Sequence, residues 1–243
     1  MRVDAHQHFW RIKRGDYGWL TPDLGSIYRD YLPGDLAPLL GQVGIDSTIL
    51  IQAAPSQAET VFLIDLAART PFVAGVVGWI DFEAPDATDQ IATLTESREL
   101  VGLRPMIQDL ADDAWMLRTA LSPAIESMIG AGLTFDALIR PRHLPFLRQF
   151  ADRWPALRIV IDHGAKPAIA AGALDHWASD IRAIARETRV CCKLSGLVAE
   201  AAAGQVEADL WPYVDVLTDA FGPDRLMWGS DWPVVNLASD YGS

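Results

Sequence analysis

Two histidines separated by a single residue, His6 and His8, stand where the first apolar segment of the chain ends, in Val3-Asp-Ala-His-Gln-His-Phe. Side chains two apart on an extended strand project to the same side, so both imidazoles converge without any further device. A pair delivered this way can hold a metal ion or move protons, although an isolated pair can equally be structural. Other reactive groups share this position. His163 follows Asp162 where the run Arg158-Ile-Val-Ile turns polar, and Asp231 follows Gly229 and Ser230 where Leu226-Met-Trp does the same. Groups at the exits of apolar strands, far apart in sequence, are what a parallel barrel gathers into one site.

The elements that must carry these residues alternate in type. Short apolar, β-branched runs are expected as strands over 3–6, 47–52, 72–80, 100–107, 133–140, 158–163, 190–195 and 225–229, and parallel strands buried on both faces have this composition. Amphipathic, helix-like stretches separate them, over 57–69, 85–96, 120–131, 144–154, 173–187 and 207–221. Gly132 and Gly222-Pro223 stand where two of these helices should stop, since glycine takes a left-handed cap and proline cannot continue a helix. Eight strand-like segments with crossovers favour a closed barrel over an open doubly wound sheet. The expected architecture is a (β/α)8 TIM-type barrel, one domain over 1–243. The segment 10–35, rich in Trp, Tyr, Pro and Gly, reads as a long ordered loop after the first strand. It either builds the catalytic face or packs over the barrel mouth.

Composition narrows the function classes. With 243 residues and half of them hydrophobic, the chain has ample material for a core and no compositional bias toward disorder. A formal charge of −12 argues against nucleic acid, whose phosphates need a surplus of Lys and Arg on one face. The only two cysteines, Cys191 and Cys192, are neighbours in an apolar run and read as small buried side chains, which fits a reducing cytoplasm. No apolar stretch reaches spanning length, and the first residues lack the apolar centre of a signal peptide. A small molecule is the expected partner, with neither nucleic acid nor membrane.

The segments Asp4-Ala-His6-Gln-His8-Phe-Trp10, Val160-Ile-Asp162-His163-Gly-Ala-Lys166-Pro167, Lys193-Leu-Ser195-Gly196-Leu197 and Gly229-Ser-Asp231-Trp-Pro233 together resemble the amidohydrolase superfamily, and within it the sugar-lactone hydrolases. The likeness runs over nearly the whole chain. Binuclear members carry a bridging Lys or Glu after strand four or five and a His at the end of strand five. Here strand four delivers Arg104 and strand five ends in Arg140-Pro-Arg142-His143, so the resemblance implies one divalent, zinc-like ion at most, or metal-free catalysis. It also implies a final helix after the eighth strand, whereas only twelve residues follow Asp231. That helix is therefore expected to be lacking, or the barrel to close differently.

The implied activity is the opening of a sugar-acid lactone by water, a carboxylic ester hydrolysis in which Asp231 is the general base. His6, His8, His163 and Asp231 form the implied ligand set; without an ion, the histidines would donate to the carbonyl oxygen instead. Arg104 either aids the oxyanion or forms an ion pair in the barrel mouth. Gln52 could bond a substrate hydroxyl or satisfy buried backbone. Trp79 and Trp232 could stack on a sugar ring or fill the core. Lys166, three residues after His163, could reach a substrate oxygen or remain in a loop. Asp162 and Ser195 are placed to fix an imidazole tautomer. Two other functions compete: a metal-dependent decarboxylase or hydratase of the same superfamily, and a barrel that binds a sugar acid or lactone without turnover.

Overall fold

Val, Ile and Leu dominate the strands because a barrel strand is covered by helices outside and filled by its neighbours' side chains inside. The computed structural model describes residues 1–202 and 204–242. Its strands are β1 (Val3–Gln7), β2 (Ser47–Ile51), β3 (Val73–Gly78), β4 (Leu100–Leu103), β5 (Thr134–Ala137), β6 (Arg158–Ile161), β7 (Cys191–Leu194) and β8 (Leu226–Trp228), paired in parallel in that order. Between them run the helices α1 (Pro33–Val43), α2 (Gln57–Ala67), α3 (Ala87–Leu94), α4 (Ser122–Ala131), α5 (Leu144–Arg153), α6 (Asp175–Glu187) and α7 (Glu207–Arg225). The ring closes at the exits of its first and last strands. Asp231 N–H donates to the His6 carbonyl at 2.8 Å and His8 N–H to the Trp232 carbonyl at 2.7 Å. The TIM-type barrel is therefore present, and its closing bonds lie inside the site motifs.

All eight expected strands form, but most are shorter than their apolar runs. After Leu103 the chain meets Pro105, which has no N–H for a ladder bond, and continues into a short 3-10 turn at Ile107–Asp109. The long loop after β1 also ends earlier than expected, because α1 begins at Pro33. Proline opens a helix readily, and the Asp35 carboxylate accepts the Leu32 N–H at 2.9 Å. The rest of that segment is ordered by packing. Trp10 pairs with Tyr31 in both directions across the backbone, and Phe9, Trp10, Tyr17, Leu20, Ile27 and Tyr31 join a core cluster with β2, α1 and α2. A larger cluster fills the space between β4–β8 and α3–α7.

The helical span of α7 is broken at Gly222, whose φ of 61° is left-handed, which is where the glycine-proline pair placed a stop. After β8 comes a 3-10 turn at Val234–Leu237, and no α-helix follows it among the described residues. Among those residues, no helix is long and apolar enough to cross a membrane.

Candidate active site

β1 places His6 and His8 at the closed seam, with ring centroids 4.9 Å apart. The exit of β6 adds His163, whose ring centroid lies 4.4 Å from that of His6, and the exit of β8 adds Asp231. The Asp231 Oδ1 atom lies 3.2 Å from His8 Nε2, 3.6 Å from His6 Nε2 and 3.9 Å from His163 Nε2. One carboxylate oxygen thus faces three imidazoles. All four side chains are buried.

The backbone is bent to make this meeting possible. His163 and Asp231 both sit in the left-handed region, at φ of 53° and 59°, which costs a non-glycine residue energy and is found where a side chain must be aimed. Two glycines make room. A Cβ on Gly229 would lie 2.6 Å from the Cβ of His6, and one on Gly196 would collide with His163 Nδ1.

Hydrogen bonds at the far side of each ring set its orientation. His8 Nδ1 lies 2.9 Å from the Ile51 carbonyl, which can only accept, so Nδ1 carries the proton and Nε2 presents its lone pair to the centre. His163 Nδ1 meets Ser195 Oγ at 2.9 Å, and His6 Nδ1 lies 3.5 Å from Asp162 Oδ1. Asp162 and Ser195 thus stand where they can fix a tautomer.

Burial pulls the His163 pKa down to about 4 against the upward pull of Asp231 and Asp162. It takes His6 well below its ordinary value, despite Asp162. Both rings are neutral at pH 7. Burial pushes the Asp231 carboxyl up, but His163, His8 and His6 outweigh it and hold the group below the usual carboxylate range. Neutral imidazoles and an ionised carboxylate are the forms in which these residues bind a metal.

The donor set fits one divalent ion. Tetrahedral ligands at about 2.1 Å stand about 3.4 Å apart. His6 Nε2 and His8 Nε2 are 3.2 Å apart, and donor atoms of His6, His163 and Asp231 all fall within 4.8 Å of one another. Two imidazole nitrogens facing each other so closely need a proton or a cation between them. Among the described residues this is the one group of three or more such donors. Where a second ion's ligands would be sought, the Arg104 guanidinium lies 3.5 Å from His6 Nε2. His143 is turned away, its Nδ1 accepting the Arg140 N–H at 2.9 Å.

The remaining expected site residues separate into two groups. Arg104 is brought to the centre and is also an ion pair, 3.1 Å from Asp162 and bonded to the Gln52 carbonyl. Gln52 is fully buried. Its Nε2 donates to the Arg104 carbonyl at 2.8 Å, while Gln52 Oε1 and Arg104 Nε have no protein partner among the described residues. Trp79 is half-buried at the exit of β3. Lys166 turns instead to Glu200, at 3.2 Å. Trp232 is 2% exposed and packs edge-on against Phe9 and Tyr31, so it fills the seam rather than offering a face to a sugar ring.

Two buried features were not among the expected site residues, although Lys193 opens one of the segments that carry the family resemblance. Lys193 of β7 bridges Asp136 of β5 and Asp162, at 2.5 and 3.0 Å. Glu59 of α2 accepts the N–H groups of Ala53 and Ala54, and burial lifts its pKa to about 7. A second signal for Lys193 was a charge in the middle of an apolar strand, Cys191-Cys-Lys-Leu.

The chain is similar to known proteins over nearly its whole length. A family model described as amidohydrolase matches residues 3–243. Among curated proteins, the L-fucono-1,5-lactonase of Burkholderia ambifaria is 49% identical over 241 residues, covering 99% of this chain and 83% of that protein. The L-fucono-1,5-lactonase of Burkholderia multivorans is 38% identical, covering 99% of this chain and 85% of its own length. A solved amidohydrolase from Burkholderia multivorans with bound zinc superimposes with a TM-score of 0.92 at 39% identity, covering 99% of this chain and 87% of that one.

Proposed function

The chain belongs to the amidohydrolase family, and on that footing we propose that it hydrolyses the ester bond of a sugar-acid lactone, with Asp231 as the general base. The observation that carries this reading is the single carboxylate oxygen of Asp231 facing three imidazoles at a buried strand-exit site. The two relatives named L-fucono-1,5-lactonase support the substrate class, and the relative with bound zinc supports a divalent ion. His6, His8, His163 and Asp231 would hold that ion. When bound, it supplies a Lewis acid that polarises a carbonyl and makes water more acidic.

The chain's own groups divide the proton and charge movements. Asp231, ionised at working pH, takes a proton from the attacking water as the new carbon–oxygen bond forms, and returns it to the ring oxygen as the ester bond breaks. The products balance as one hydroxy acid. Arg104 places a fixed positive charge beside the centre, where negative charge grows on the carbonyl oxygen. The unpartnered Gln52 Oε1 and Arg104 Nε are an acceptor and a donor available to substrate oxygens, since buried polar atoms without partners are costly. Trp79, half-buried at the exit of β3, completes the substrate contacts.

A panel of sugar-acid lactones, followed with a pH indicator on zinc-loaded and zinc-stripped protein, tests reaction and ion together. Acid release from one of these lactones, lost on stripping and restored by zinc, is expected. Inactivity of the loaded protein on the whole panel would refute the substrate class, and full activity of the stripped protein would refute the ion.

A further inference from the structure

His6 can serve an ion through Nε2 only if its proton sits on Nδ1, and that proton then needs an acceptor. Nδ1 stands between opposites. Asp162 Oδ1, an acceptor, is 3.5 Å away, and Lys193 Nζ, which can only donate, is 3.4 Å away. Donation from Lys193 to Nδ1 would force the proton onto Nε2 and close that nitrogen to an ion. What decides between the two is where the ammonium is held. It is drawn to Asp136 at 2.5 Å and Asp162 at 3.0 Å, both shorter than its approach to His6. Asp162 is itself clamped from its other oxygen by Arg104 at 3.1 Å, and its Oδ1 has no hydrogen bond of good geometry among the described residues.

We propose that Lys193 is a positioning residue for the ion centre: held by Asp136, its ammonium keeps Asp162 aimed as the acceptor of the His6 Nδ1 proton, so that Nε2 is presented to the ion. Every member of the chain Asp136, Lys193, Asp162 and His6 is buried. Without the ammonium, the Asp136 and Asp162 carboxylates lose the cation between them, and Asp162 keeps only the Arg104 contact on its other oxygen. The assignment rests on the reading of the histidine cluster as an ion centre and on nothing about the lactone.

The test is zinc affinity, measured by chelator competition in the full chain, for Lys193→Met and for the double variant Asp136→Asn, Lys193→Met, which removes one charge of each sign. The competing effects have opposite signs. Deleting a positive charge close to a cation site should by itself tighten zinc binding, whereas loss of outer partners of a ligand typically weakens it by about 10- to 100-fold. Weakening of about tenfold or more in the folded variants is expected. Affinity unchanged or tighter in either folded variant would overturn the assignment. In the zinc-loaded parent, the His6 Nδ1 proton should appear in the NMR spectrum as a slowly exchanging, far-downfield imidazole N–H; its absence overturns the assignment with no variant needed. Failure of the parent to bind zinc refutes the ion centre and this assignment together, while binding insensitive to Lys193 refutes the assignment alone.

Discussion

Asp231→Asn separates the chemical role of the carboxylate from its shape. The substitution keeps the volume and leaves an amide oxygen or nitrogen near His8 Nε2, now 3.2 Å from Asp231 Oδ1, but it removes the charge that faces three rings and the group that accepts the water's proton. A positioned general base is worth about 10²- to 10⁴-fold in rate, and at about 1.4 kcal/mol for each factor of ten that is roughly 3–5 kcal/mol on the barrier. Because the same oxygen belongs to the ion's ligand set, the variant must be assayed at saturating zinc with its metal content measured. Under those conditions kcat should fall by at least about 10²-fold, with the circular dichroism spectrum unchanged. A folded, zinc-loaded variant with kcat within tenfold of the parent would refute Asp231 as the base.

Other consequences follow from single contacts. A histidine held at a lowered pKa stabilises the fold fully above its unfolded value and loses that contribution as pH falls through the folded value. For ion-free protein, His163 at about 4 against a usual value near 6.5 is a loss of roughly 3 kcal/mol between those limits. Glu59, raised to about 7, acts in the opposite sense, its contribution falling as pH rises from about 4.3 to 7. The readable quantity is therefore the difference in denaturant stability between parent and His163→Gln, which should shrink from pH 7 to pH 4; a constant difference refutes the neutral buried ring. Gly196→Ala places a methyl against His163 Nδ1 at a left-handed φ of 64°, and should lower both Tm and zinc affinity. A variant matching the parent in both would show that this approach is not needed. Arg104→Met removes one of the two cations held against the buried Asp162 carboxylate and leaves Lys193 at 3.0 Å, so the loss should fall below the about 3–5 kcal/mol of a buried pair broken outright. Chemical denaturation should show that loss alongside reduced kcat, and an unperturbed midpoint would argue against a paired guanidinium.

Much of the fold was legible because it depends on local pattern. The alternation of apolar runs with amphipathic stretches placed all eight strands, and the two-residue period of β1 put His6 and His8 on one side of the strand. His163 and Asp231 could be picked out because a polar residue at the exit of a buried strand is conspicuous. Helix α1 was not among the expected helices: the aromatic segment before it hides the boundary, since its order comes from packing against α1, α2 and β2 rather than from any repeat.

What only the tertiary structure decided is which distant groups meet. Trp232 and Lys166 carry side chains suited to a sugar, but one is buried in the seam against Phe9 and Tyr31 and the other is paired with Glu200. Conversely, a lysine within an apolar strand is unremarkable until barrel register brings β5, β6 and β7 together and sets Lys193 between two carboxylates. The His-x-His and the aspartate at the far end of the chain are properties of the sequence, because strand periodicity and strand exits are local. Their meeting at one carboxylate oxygen belongs to the closed ring, because the bonds from Asp231 N–H to the His6 carbonyl and from His8 N–H to the Trp232 carbonyl join segments that no local rule relates.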